Sequence, residues 1–232
     1  MKRRIALTLA AAIVLLTCLA AASCDGDTQT RLMPDGVSQG SISRSPATLG
    51  LAGATVFTFT AAGFTSRTGE PLSYAWDFGD RTAATGGATI THIYMIDWYV
   101  FDVSVTASTP GGASARAQYG GVRVRAISGL WGLRDSAGRL LLGRTYLTQN
   151  DSAVHGDNSG LNCRYGVAGS VSEPRSIVLT YTRPPGDCQG WGLPASFTFA
   201  GVADEAIDSF AGMMTPGGPA TLIRCPYPAG CS

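Results

Sequence analysis

The chain has 232 residues, enough for one or two domains that each bury a core. Charged residues make up 14% of it, against about 25% in a typical soluble domain. With 30 glycines as well, the balance favours an exported all-β architecture over a cytosolic enzyme. Beyond Lys2, Arg3 and Arg4 there are 14 arginines, no lysine and 16 acids, so no basic patch recruits nucleic acid.

Those three early charges precede an apolar stretch from Ile5 to Ala22, and residues 1–23 read as a signal peptide. The run Ala21-Ala22-Ser23-Cys24 resembles a bacterial lipobox, although Ala21 stands where leucine is usual. That resemblance implies a lipid on Cys24 and a place in the bacterial cell envelope, at the outer membrane, the cell surface or the periplasmic face. Ordinary cleavage after Ala22, giving a secreted protein, is one alternative. An uncleaved anchor is another, since about 18 apolar residues suffice to span a bilayer. Residues 24–45 then read as the lipidated Cys24 and a flexible tether, polar and without apolar period, reaching about 25 Å. Gly36-Val37-Ser38-Gln39-Gly40 matches the nucleophile elbow G-x-S-x-G. It lacks the strand before and the helix after that the elbow needs, so it reads as a chance match.

From residue 46 to 126 the pattern is that of a β-sandwich. Phe57, Phe59 and Ala61 alternate with polar neighbours, and Leu72, Tyr74, Trp76 and Phe78 do the same. Gly79, Asp77 and Asp80 should stop that second strand abruptly. Tyr99, Phe101, Val103 and Val105 form a third run, and Val122 and Val124 a closing strand. The motif Tyr74-Ala75-Trp76-Asp77-Phe78-Gly79-Asp80, followed by His92-x-Tyr94, resembles the PKD repeat, an extracellular immunoglobulin-like sandwich. Two positions depart from that family's pattern: Arg81 where glycine usually follows the second Asp, and Asp97-Trp98 before the last aromatic run. The resemblance implies about seven strands and a role as spacer or contact module for proteins and polysaccharides.

Residues 127–232 start a second series of short strands. The expected ones are Gly129 to Leu133, Leu140 to Gln149, Leu161 to Val171, Ser176 to Arg183, Ser196 to Val202, Phe210 to Thr215 and Ala220 to Cys225. Turn signals separate them, among them Gly156 to Gly160 and Pro184-Pro185-Gly186-Asp187. The spacing points to a small antiparallel β-barrel, with a second β-sandwich as the alternative. Gly129-Leu130-Trp131 with the late Arg224 resembles the lipocalin-like signature, in which an arginine packs across the first-strand tryptophan and closes one end of the barrel. That resemblance implies an interior able to hold a small apolar ligand, unless side chains such as Trp131, Leu141 and Phe199 fill it.

Asp77 and Asp80 can bond backbone amides or contribute to a calcium site, and the first is favoured because no further oxygen ligand stands near. The two histidines, His92 and His155, lie far apart in sequence and support neither a metal site nor a triad. Trp98 and Trp191 are candidate ligand contacts, as exposed aromatics that stack on sugars or anchor partners; capping a domain end is their alternative role. Cys163, Cys188, Cys225 and Cys231 allow two disulfides in three connectivities, with local pairing the first expectation. A zinc site is disfavoured outside the cytosol and without a C-x-x-C pair. The expectation is therefore a non-enzymatic binding or adhesion lipoprotein, with no cofactor and no metal. Its partners would be the membrane, through the lipid, and an extracellular protein or polysaccharide. A carrier of a small apolar ligand and an accessory domain of a hydrolytic system are the alternatives.

Overall fold

The computed structural model describes residues 36–96, 100–160, 163–187, 194–226 and 231. Sixteen strands are described and no helix among them. The chain is all-β, in two parts with separate cores.

The first part is a sandwich of eight strands: β1 (Ser41–Ser45), β2 (Gly50–Leu51), β3 (Val56–Ala62), β4 (Ser73–Asp77), β5 (Ala83–Gly86), β6 (Thr89–Ile93), β7 (Val100–Ser108) and β8 (Ser114–Arg125). One sheet runs β1-β3-β6 and the other β2-β8-β7-β4-β5. The alternation read in the sequence sets the inner faces. Phe57, Phe59 and Ala61 from β3 meet Trp76 and Phe78 from the β4 region, with Phe101, Val103 and Val105 from β7. Tyr74 and Leu72 pack at the margin of the same core, and the Trp76 indole N–H donates to the Gly87 carbonyl at 3.2 Å. The first strand begins inside the stretch expected to be tether. Ser41–Ser45 pairs with β3 because Ile42 can be buried there, an apolar anchor that a single residue among polar neighbours does not advertise.

The second part is a closed up-and-down barrel of eight strands: β9 (Gly129–Asp135), β10 (Leu140–Asn150), β11 (Ala153–Gly160), β12 (Cys163–Ser172), β13 (Ser176–Thr182), β14 (Ser196–Ala203), β15 (Ser209–Thr215) and β16 (Gly218–Arg224). Strand β11 was expected as a turn. Its inward positions are Val154, Gly156 and Asn158, small or polar residues that break the apolar alternation. Its pairing with β10 and β12 nevertheless runs in unbroken register. Leu142, not Leu141, is buried at the start of β10, because the β9–β10 register shifts on either side of Leu142 and Arg144 adopts a left-handed backbone with φ 62°. That bulge moves alternate side chains to the other face.

Trp131, Leu133, Leu147, Tyr165, Leu179, Tyr181, Phe199 and Phe210 lie fully buried inside the barrel. Large side chains there lie over glycines: a Cβ on Gly201 would meet the Phe199 ring at 2.7 Å, and one on Gly156 would meet Leu147 at 2.9 Å. Small residues at these places let the strands bend into a closed cylinder. Cys225 and Cys231 form a disulfide, as local pairing predicted. Cys163 is disulfide-bonded too, while Cys188 lies outside the described residues.

The two parts meet through a built junction. Leu51 and Ala54, from the loop at β2, belong to the barrel's apolar core together with Ile127. The Gln149 amide spans the seam: its Nε2 donates to Ala52 O at 2.7 Å and to Asp151 O at 2.6 Å, while its Oε1 accepts from Ile127 N at 3.0 Å. Gly53, at φ 66°, has no room for a side chain, since a Cβ would stand 2.2 Å from Asp151 O. Arg224 lies over the Trp131 ring at 4.4 Å and donates to Ser128 O and Ala126 O, the packing that the lipocalin-like signature implied. Arg125 pairs with Asp208 at 2.7 Å and donates to Ala206 O. The sandwich thus seals the barrel end to which it is joined.

Candidate functional site

Attention falls on the end of the sandwich where β4 stops. Asp77 Oδ1 accepts from Gly79 N at 2.9 Å, and Gly79 turns at φ 78° where a Cβ would collide with Asp102 O at 2.6 Å. Asp80 then closes the turn. Its Oδ1 accepts from the backbone and hydroxyl of Thr82, and its Oδ2 lies 2.7 Å from His92 Nε2. The carboxylates expected to bond backbone amides do so. Burial alone would raise the Asp80 carboxyl, yet the bonds from Thr82 and His92 together outweigh it and hold it below the usual range.

Strand β6 delivers the other half. His92 stacks flat on Phe78, with ring centres 4.0 Å apart, and meets the edge of Tyr94 at 4.6 Å. Tyr94 stacks on Phe101 at 4.3 Å and its hydroxyl donates to Phe78 O at 3.0 Å. Burial pushes the Tyr94 hydroxyl up, so it remains a donor. His92 and Tyr94 therefore clamp the turn to the sheet. One imidazole face lies on Phe78, the ring meets Tyr94 at right angles, and Nε2 is held by Asp80 Oδ2, so the pair ties the turn to the sheet as a structural lock.

Beside the lock lies an open pocket of about 260 Å³, lined by Gly79, Asp80, Arg81, Ile96 and Phe101. Ile96, on its rim, is an exposed large apolar side chain, as are Met95 and Val100 nearby in sequence. Arg81 is held at φ 72°, a left-handed backbone that costs a non-glycine residue about 1–2 kcal/mol. Its side chain is exposed and, among the described residues, makes no ion pair or hydrogen bond. A strained backbone that presents a free cation beside an apolar wall has the makings of a contact site.

Residues 47–124 match the family model described as the PKD domain. That is about a third of the chain, and it is the sandwich with its Trp76 strand. No curated protein matches the chain. Among solved structures, one described as "Structural basis for the promiscuous specificity of the carbohydrate-binding modules from the beta-sandwich super family" is 14% identical. It covers 79% of this chain and 88% of its own, at a TM-score of 0.35. A TM-score of that size carries no argument about fold or ligand.

The structure gathers Asp77, Phe78, Gly79, Asp80, His92 and Tyr94 at the turn after β4, places Trp76 in the sandwich core with its indole N–H on Gly87 and Tyr74 against Phe64 towards the start of β4, and brings Gly129, Trp131 and Arg224 together at the junction. It does not unite the two sets into one site. Cys24, Trp98, Cys188 and Trp191 lie outside the described residues. Ser38 of the G-x-S-x-G run bonds Gly63 O and the Thr65 hydroxyl, in an irregular segment where no strand leads into a helix. Arg81, the residue sequence reasoning treated only as a departure from the PKD pattern, is the functional candidate it underrated. The signal was present: an arginine where the turn prefers glycine must tolerate strain.

Proposed function

We propose that the chain is an exported, lipid-anchored, non-catalytic binding module of the bacterial cell envelope, which contacts an extracellular protein or polysaccharide through the Arg81 end of its PKD-like sandwich. The observation that carries this reading is the unpaired, strained Arg81 on the rim of a pocket walled by Ile96 and Phe101. An arginine free to form charge-assisted hydrogen bonds next to apolar surface suits a polymer that offers a carboxylate or sulfate beside an apolar face. The leader and the Cys24 lipobox support the anchor, and the PKD match supports a contact role.

A carrier function for the barrel has less support. The interior positions a ligand would need are filled by Trp131, Leu133, Leu179, Phe199 and Phe210. The resemblance of Trp131 and Arg224 to lipocalin-like proteins is accordingly read as a closure device for the barrel end.

The test is capture of the full chain, with Cys24→Ser so that no lipid is added, on immobilised polyuronate, neutral glucan and an acidic protein. Binding to an anionic polymer that drops about tenfold or more in Arg81→Ala supports the reading, since a charged hydrogen bond contributes about 1.5–3 kcal/mol. Binding indifferent to Arg81, or directed only at the neutral glucan, would refute it.

A further inference from the structure

The turn after β4 carries backbone donors that no group among the described residues uses. Gly79 and Arg81 both take left-handed backbones, at φ 78° and 72°, and Asp80 between them does not. Alternation of hand at successive residues aims neighbouring N–H groups into a shared concavity, the form in which a backbone holds an anion. Asp77 Oδ1 takes the N–H of Gly79, and Asp80 Oδ1 takes that of Thr82. The N–H groups of Asp80 and Arg81 lie between those two and make no hydrogen bond among the described residues.

This stretch of backbone lines the pocket beside the lock. Gly79 has no side chain, and the Asp80 side chain is only 6% exposed although the residue as a whole is half-buried. What these two residues give the wall next to Arg81 is therefore main chain. Ile96 and Phe101 supply the apolar part of the lining. At about 260 Å³ the space falls below the roughly 300–1,000 Å³ of sites that enclose a drug-sized ligand, so it admits one residue of a chain. Asp77 and Asp102 are exposed near the turn, their carboxylates on Gly79 N and Gly121 N. The site thus has the charge to hold one carboxylate and little to spare for a dense row of them. A sugar ring in the same space would press hydroxyls against Ile96 and Phe101, where they find no partner.

We propose that this turn captures the free carboxylate end of a polypeptide whose last side chain is apolar. The inference rests on the reading of Arg81 as a contact and names the ligand of that same site. The carboxylate accepts from Asp80 N, Arg81 N and the Arg81 guanidinium, while the last side chain lies on Ile96 and Phe101. Capture of a chain end in a backbone concavity is a recurring mode of peptide recognition, and the planar fork of an arginine matches a carboxylate. The strained backbone at Arg81 has a use in this arrangement. Glycine there would keep the two N–H groups and lose the cation. One residue makes few contacts, so affinity for a short peptide is modest, with a dissociation constant of about 0.1–2 mM.

Titration of the full chain carrying Cys24→Ser with the peptide acetyl-Ala-Ala-Leu, followed by amide shifts in heteronuclear spectra, tests the proposal. The expected result is saturable binding that weakens about tenfold or more when the carboxylate is replaced by a carboxamide, and to a similar degree in Arg81→Ala. In Arg81→Gly the acid still outbinds the carboxamide by about twofold or more, because the two backbone N–H groups remain. A peptide ending in glycine binds about fivefold more weakly than the one ending in leucine, and Ile96→Ala narrows that difference. Thermal melts matching wild type verify that Arg81→Ala and Ile96→Ala are folded. Equal affinity for acid and carboxamide, or no saturation by the acid up to about 10 mM, would overturn the proposal. So would binding of an oligogalacturonate alone, lost in Arg81→Ala; that outcome keeps Arg81 as a contact and assigns the site to a sugar acid. Peptide binding that Arg81→Ala leaves unchanged overturns both the proposal and the reading beneath it.

Discussion

Replacing Arg81 by glycine should make the protein more stable and less able to bind. At φ 72° the arginine backbone costs about 1–2 kcal/mol. Glycine removes that strain but gives back about 0.5–1 kcal/mol through its freer unfolded chain, for a net gain of about 0.5–1 kcal/mol. In a unit of roughly 200 residues this raises the melting temperature by about 1–4 °C. Arg81→Ala separates the two effects, because it keeps the strained backbone, leaves stability within about 0.5 kcal/mol, and still removes the guanidinium. Urea unfolding followed by near-ultraviolet circular dichroism gives the stabilities, and capture on the anionic polymer gives the affinities. Wild-type stability or lower in Arg81→Gly would refute the strain argument. Retained binding in both variants would refute the assignment of Arg81 as a contact.

The remaining predictions concern the supports of that site. The folded Asp80 carboxyl titrates below its ordinary value of 3.8, so it contributes stability above that pH and loses it as pH falls through the lower folded value. Acid unfolding of Asp80→Asn should lack this contribution, and an acid limb identical to wild type would count against the lock. Gln149→Ala removes three hydrogen bonds at the seam, of which the one to Ala52 O crosses to the sandwich, and leaves the Ile127 N–H and Ala52 carbonyl unmet, a loss of about 2–3 kcal/mol. Calorimetry should show the single transition broaden or split, and an unchanged sharp transition would argue that the junction is not coupling the two parts. The Cys225–Cys231 bridge closes a short loop, so Cys225→Ser with Cys231→Ser should cost about 2 kcal/mol in the chain-entropy treatment; a change under about 0.5 kcal/mol would place that segment outside the cooperative fold.

Much of the sandwich was legible because its strands alternate. Phe57 and Phe59, Trp76 and Phe78, and Val103 and Val105 each announce an inner face by period two, and each is buried. The barrel was legible where Leu, Val and Phe alternate, as in β13 and β14. It failed at β11, where Gly156 and Asn158 occupy interior positions that the closed cylinder permits only to small or hydrogen-bonded groups. Asn158 is accommodated by donating to Gly143 O and Thr145 Oγ1, partners that only tertiary structure provides. The junction was hidden for the same reason. Gln149 reads as an ordinary exposed strand residue, and its value comes from carbonyls 97 and 2 residues away in sequence. Leu51 and Ala54 read as sandwich residues and yet fill the barrel's core. The candidate site was half visible: the seven-residue motif marked the turn, while the pocket required Ile96 and Phe101 to be brought beside it by the fold.

The central claim is that ligand meets the Arg81 end of the sandwich and leaves the barrel interior untouched. Amide hydrogen exchange of the chain, alone and saturated with the anionic polymer that captures it, tests this most directly. Protection confined to the turn at Gly79 to Thr82 and to the neighbourhood of Ile96 and Phe101 is the predicted result. Protection appearing instead along the inward strands of the barrel, around Leu179 and Phe199, would contradict it.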